Sequence, residues 1–312
     1  MSVSIKSADS RRRWAMLSVP ALLLLATIAG CGGGGSSSSP ASQGNANATL
    51  TPAPAPSPAP TPNPGSTPPT SYWKPALGDT WQWQLAGTIN TSYPVAVYDI
   101  DLFNIPAATI QALQASGKKV VCYFSAGSSE NWRPDFSQFQ AADMGNGLSG
   151  WPGERWLDTR SANVRKIMQA RLDLAVSKGC NGVEPDNVDG YSNGSGFALS
   201  AATQLDYNRF LASEAHQRKL SIALKNDLDQ LNDLVGDFDF AVNEQCHEFA
   251  ECSGYQVFIA SGKPVFNAEY AASYRTDAAA RAALCADART RQFHTLVLPL
   301  ALDDSLRFSC EP

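Results

Sequence analysis

Histidine is the scarcest chemistry-bearing residue of this 312-residue sequence: only His216, His247 and His294 occur. They lack the short spacings of tetrahedral zinc sites, and no Cys-x-x-Cys pair is present. No metal and no cofactor are therefore expected, and the imidazoles read as solvated or capping groups. No Gly-x-Ser-x-Gly turn follows a strand-like run, which weakens any Ser-His nucleophile. A phosphate loop after the first strand is also missing. Gly32 to Gly35 lies in an N-terminal linker, and Gly190 to Gly196 follows a late strand without Walker lysine spacing, so nucleotide binding is not expected. Basic residues are in deficit, 24 against 29 acidic. Setting aside Lys6, Arg11, Arg12, Arg13 and Asp9 leaves 20 basic and 28 acidic residues for the rest of the chain. Nucleic acid is thus not an expected partner, and an acidic cleft would favour a neutral or cationic ligand.

The N-terminal segment does not read as part of a fold. Arg11-Arg12-Arg13 precedes an apolar run from Trp14 to Ala29 that ends Ile28-Ala29-Gly30-Cys31. This is the pattern of a secretory signal over residues 1–30, and its end resembles the lipobox of bacterial lipoproteins, with Cys31 as the lipidated residue. The run is too short to remain as a spanning helix, so the only membrane contact expected is a lipid anchor in a bacterial cell envelope. Residues 31–71 are Gly, Ser, Pro, Ala and Thr, a disordered tether whose Thr-Pro-Ala-Pro part reads as polyproline II. Residues 72–312, about 240 in number, match the size of one (β/α)₈ barrel and read as a single domain. Its six cysteines, Cys122, Cys180, Cys246, Cys252, Cys285 and Cys310, allow three disulfides in an oxidising compartment. Fifteen connectivities are open; Cys246 with Cys252 across a short loop is the expected pair.

Short apolar runs alternate with helix-like segments, the sign of a parallel sheet with crossovers. Nine strand candidates begin near Trp81, Val95, Lys119, Arg155, Gly182, Ser221, Phe238, Pro264 and Thr295. That is one more than a TIM barrel needs, leaving one for an extra hairpin element. Helices are expected over about 105–116, 162–178, 201–218 and 277–291, and residues 127–153 read as a long loop over a site. Polar residues recur at the strand ends: Asp99 and Asp101, Ser125, Asp158, Glu184 and Asp186, Lys225 and Asn226, Asn243 and Glu244, and Glu269. In a TIM barrel that end carries the active site. In Asn181 to Tyr191, period-two alternation puts Glu184 and Asp186 on one face, where buried charge needs compensation. A salt-bridged strand end is the plain alternative. Carboxylates gathered with Lys225, asparagines and tryptophans suit glycoside hydrolysis, which needs one acid to protonate and one carboxylate to attack or to activate water. Trp81, Trp83 and Trp156 read as core or wall; Trp132 and Trp151, in the long loop, suit stacking on sugar rings.

Seven ordered blocks carry a family resemblance: Trp81 to Leu85, Tyr98 to Asp101, Cys122 to Gly127, Gly182 to Tyr191, Lys225-Asn226, Asn243 to Cys246 and Asn267 to Tyr270. Together they resemble glycoside hydrolase family 114, the endo-α-1,4-polygalactosaminidases. The resemblance implies a (β/α)₈ barrel that cleaves α-1,4-linked galactosamine or N-acetylgalactosamine polysaccharide, without a cofactor. It further implies a retaining double displacement with Asp186 as nucleophile and Glu244 as acid and base, although strand position alone leaves their roles open. Asp99, Asp101, Tyr123, Asn187, Lys225 and Glu269 would line the substrate subsite. Glu184 departs from the family pattern and, beside Asp186, raises the question of a shared proton. Glu184 and Trp132 complete the expected substrate contacts. A monomer is expected. The rival is a polysaccharide-binding lipoprotein that has kept the barrel and lost turnover.

Overall fold

The computed structural model describes residues 71–311; the expected signal peptide, Cys31 and the linker through residue 70 lie outside them. In chain order the elements are β1 (Trp81–Gln84), β2 (Val97–Asp101), α1 (Ala107–Ala115), β3 (Lys119–Ser125), β4 (Ser128–Glu130), β5 (Met144–Gly147) and β6 (Glu154–Leu157). Next come α2 (Ala162–Lys178), β7 (Gly182–Asp186), α3 (Ala201–Gln217), β8 (Ser221–Lys225), α4 (Leu231–Leu234) and β9 (Phe240–Glu244). The chain ends with α5 (Gln256–Ala260), β10 (Val265–Glu269), α6 (Ala272–Thr276), α7 (Ala278–Arg291), β11 (His294–Val297) and β12 (Phe308–Ser309).

Eight parallel strands, in the order β1-β2-β3-β7-β8-β9-β10-β11, curl into a barrel of the (β/α)₈ type, with β12 antiparallel beyond β11. Two cores follow from the period of two along each strand. Inward positions such as Trp81, Val97, Val121, Ala223, Phe240 and Phe266 form the interior cluster, with the Trp81 and Phe266 rings stacked 5.0 Å apart. Outward positions such as Tyr98, Ile100, Cys122, Phe124 and Ile222 pack against the helices. No backbone ladder joins β1 to β11 among the described residues; side chains and loops cover that seam. The Trp81 indole donates to the His294 carbonyl at 2.8 Å, Arg307 reaches Gln82 and the Trp81 carbonyl, and Leu85 N donates to Leu302 O.

Local chemistry sets the helix ends. Ser161 caps α2 by accepting from the amides of Asn163 and Val164, and Gly179, at φ 88°, ends it in the left-handed conformation glycine tolerates. Asp277 caps α7 in the same way. The ninth strand candidate, near Arg155, is not a barrel strand: β6 pairs antiparallel with β4 and β5 in a separate three-stranded sheet. The stretch expected as a loop therefore carries two strands of its own. Ser128–Glu130 and Met144–Gly147 have no apolar alternation, and only pairing with β6 makes them strands. Disulfides link Cys122 to Cys180, Cys246 to Cys252, and Cys285 to Cys310.

Candidate active site

Three strand ends share one backbone device. Asn187, Asn226 and Gln245, each directly after Asp186, Lys225 or Glu244, adopt positive φ of 61°, 49° and 63°. Asparagine tolerates that region better than most residues, and each turn swings the chain off the barrel, leaving the last strand residue at the rim. Gly127 is required by the same packing: a Cβ there would lie 1.7 Å from the Asn187 carbonyl oxygen.

Lys225 stands at the centre. Its Nζ lies 3.1 Å from Glu184 Oε1, 3.1 Å from Asp186 Oδ1 and 3.2 Å from Glu244 Oε2, and 4.8 Å from the Trp83 ring centre. Its side chain is 1% exposed, those of Asp186 and Glu244 17% and 12%. Burial works to lower the lysine pKa, but Asp186, Glu184 and Glu244 together hold it well above the ordinary value, so the ammonium is permanent. Asp186 also accepts from the Tyr123 hydroxyl at 2.8 Å and from the Asn187 amide at 2.7 Å. Glu244 accepts from the Tyr270 hydroxyl at 2.6 Å, while its own amide donates to Asn226 Oδ1. Burial first, and then the facing carboxylate, raise both tyrosines well above the usual phenol value, so each stays a neutral donor.

These groups open onto a cleft of about 620 Å³. Asp101, Tyr123, Trp132, Asn187, Lys225, Asp186 and Glu244, all singled out in the sequence, line it. Trp132 and Trp151 stand exposed there; Trp81 and Trp83 belong to the interior core, with Trp83 and also Trp156 forming part of the cleft wall. The Asp101 carboxylate is bound by Arg133 at 3.0 and 2.7 Å, so it anchors that arginine. Asp99, Glu184 and Glu269 are not part of the lining. All three are buried beneath it, because inward positions earlier on a strand lie deeper in the barrel, and the turn after β9 covers Glu269. Glu269 accepts from the amides of His247 and Glu248 and from Asn267, and so pins that turn; burial pushes its carboxyl up to about 7. Asp158 pairs with Arg160 and lies outside the lining.

Four groups escaped the sequence reading. They are Tyr270, Glu130, Glu154 and Asp189, and the three acids line the cleft. Burial pushes Glu154 up to about 7 and Asp189 to about 6, while the Ser128 hydroxyl donates to Glu154 at 2.6 Å. A search of strand carboxyl ends passes over Glu154, since it opens β6, a strand outside the barrel. The sulfurs of Cys246 and Cys252 near His247 are joined in a disulfide and offer no thiolate pair to a metal.

Two carboxylates held by one ammonium at the mouth of a (β/α)₈ barrel, beside rim tryptophans, define the class of glycosidase-type barrels. The chain belongs to glycoside-hydrolase family GH114, whose sequence profile matches residues 63–312, and it is a glycoside hydrolase. It is similar to Ega3 of Aspergillus fumigatus, solved in complex with galactosamine: 44% identity, TM-score 0.74, with 78% of this chain and 100% of that chain covered. The glycoside hydrolase domain of PelA from Pseudomonas aeruginosa shares the fold at 17% identity and TM-score 0.59, over 74% of this chain and 98% of that one. An uncharacterised protein of Deinococcus radiodurans is 25% identical over 239 residues, 66% of this chain and 76% of the relative.

Proposed function

We propose that this enzyme cleaves α-1,4-linked galactosamine or N-acetylgalactosamine polysaccharide internally and with retention. Asp186 attacks the anomeric carbon while Glu244 protonates the departing oxygen; Glu244 then takes a proton from the water that cleaves the glycosyl ester. The observation that carries this reading is the shared lysine. One oxygen of each acid lies within 3.2 Å of Lys225 Nζ. Those oxygens cannot be farther apart than the sum of 3.1 and 3.2 Å, a closeness that favours the narrow carboxyl pair of a retaining site over the wider pair of an inverting one. Asp186, surrounded by the Tyr123 hydroxyl, the Asn187 amide and Lys225, has the donors that suit a nucleophilic carboxylate.

The substrate class is supported by the 44% identity to Ega3 and by the acids of the cleft. Glu154 and Asp189 offer counter-charge to amino groups along a polymer, whereas Glu130 is paired with Arg133, and Trp132 and Trp151 offer apolar faces to its rings. Arg11 to Cys31 supports export and lipid attachment at Cys31, which would tether a monomeric catalytic domain to a bacterial cell envelope. New reducing ends released from a galactosaminogalactan by the soluble barrel would test the reaction. Asp186→Asn and Glu244→Gln should each lower kcat by orders of magnitude with an unchanged circular dichroism spectrum; tight binding by wild type without cleavage would sink the enzymatic reading.

A further inference from the structure

Beneath the catalytic floor lie two carboxyl groups that the reaction does not use. Asp99 is 1% exposed and Glu184 0%. Apart from each other and the Lys225 ammonium, 3.1 Å from Glu184 Oε1, their four carboxyl oxygens have no hydrogen-bond donor among the described residues. Their side chains lie within hydrogen-bonding reach of one another. Two anions in that position, with one shared lysine, would carry an uncompensated buried charge costing several kcal/mol. One proton between them supplies the missing donor and removes that charge. The layer just below is apolar, Trp81, Val97, Val121, Ala223 and Phe240, so packing alone does not call for acids there.

We propose that Asp99 and Glu184 hold one proton between them and act as a single-charge counterion that positions Lys225 under the catalytic carboxylates. The proposal rests on the assignment of Asp186 and Glu244 made above. When Asp186 becomes an ester it loses its charge, and the ammonium loses one of three anionic partners. Glu184 remains, so Lys225 keeps its place until hydrolysis restores the Asp186 carboxylate. The shared proton stays within the pair throughout. Burial, then mutual repulsion, raises Asp99 well above the ordinary carboxyl range, and burial pushes Glu184 to about 7, in keeping with a shared proton. The charged and titratable groups that act on the pair are Lys225 from β8, Asp186 from β7, Tyr123 from β3 and Tyr270 after β10, with Glu244 from β9 on the far side of the lysine.

The experiment has two arms. Infrared difference spectra of the soluble barrel at neutral pH should show one protonated carboxyl fewer in Asp99→Asn than in wild type, because Glu184 then ionises fully against Lys225. An equal number would overturn the proposal whatever substrate the enzyme takes. In the second arm, pH profiles of kcat/KM on a galactosamine polymer are compared. In Glu184→Gln, Asp99 has no cation in contact and keeps the proton, so the ammonium is divided between two carboxylates instead of three and both limbs should move acidward by about half a unit or more. Asp99→Asn leaves one negative charge at Glu184, so its limbs should stay in place. Equal movement in both variants, or movement in neither, would overturn the single-charge pair. Should Glu184→Gln fail to fold, the infrared count decides. Wild type that leaves the polymer intact would refute the substrate assignment while the infrared arm still judges the pair.

Discussion

Lys225 is touched by three carboxylates, those of Glu184, Asp186 and Glu244. Lys225→Met would leave Glu184 buried beside Asp99 without a cation. Breaking such a cluster costs about 3–5 kcal/mol, so thermal unfolding should show a clear loss of stability, and residual activity should fall with it. Glu154 makes a second prediction at this scale. Burial pushes its carboxyl up to about 7, so it is largely neutral at pH 6 and anionic at pH 8. On the acidic side of neutrality, where the substrate amines stay charged, KM for a free-amine polymer should fall as rising pH ionises Glu154. Glu154→Gln should flatten that dependence and raise KM several-fold, with little change for a fully acetylated polymer. Strand-end acids such as Asp186, Glu244 and Asp101 were legible as pattern. Glu154 and Tyr270 were not, since the partners that give them a role are distant in the chain: Ser128 lies 26 residues from Glu154, and Glu244 lies 26 from Tyr270.

At the scale of elements, the site depends on turns more than on strands. The Asn187 turn closes against Gly127 so tightly that a methyl group would overlap the Asn187 carbonyl oxygen. Gly127→Ala should therefore displace Asn187 and with it Asp186. A kcat loss of at least tenfold, accompanied by a lower melting temperature, is the expected result; unchanged kinetics would show that the turn does not position Asp186 for the proposed reaction. The turn after β9 is held from two sides, by Glu269 through the amides of His247 and Glu248 and by the Cys246–Cys252 disulfide. The β4-β6-β5 sheet supplies Glu130 and Glu154 to the cleft, and Arg133, just past β4, bonds Asp101 at the end of β2. The longer helices were readable as helix-like runs between strand candidates, and α2 and α3 fall within a residue or two of the expected spans. The small sheet was not, because its strands are stabilised by each other rather than by a local apolar pattern.

For the molecule as a whole, several buried acids make stability a function of pH. Burial raises Glu184 and Glu269 to about 7, and burial with repulsion from Asp189 raises Asp227 to about 8. A raised folded-state pKa means stability that is present at acidic pH, around the unfolded carboxyl values, and is lost as pH climbs through the folded value. The melting temperature should therefore fall between about pH 5 and pH 8; a flat or rising curve would contradict the burial of these groups. The Cys122–Cys180 bridge closes a span of 58 residues, for which the loop-entropy relation gives about 4 kcal/mol. Denaturant titration of a Cys122→Ser, Cys180→Ser double variant should show a loss of that order. By itself the sequence determined the alternation of strands and helices and the gathering of polar residues at strand ends, since these are periodic or local, and its ordered blocks carried the family. Tertiary structure alone decided that Asp99, Glu184 and Glu269 lie below the cleft, that Lys225 joins three acids, and that β6 leaves the barrel. Depth in a curled sheet and the approach of separate strand ends depend on closure of the whole barrel, which no local stretch encodes.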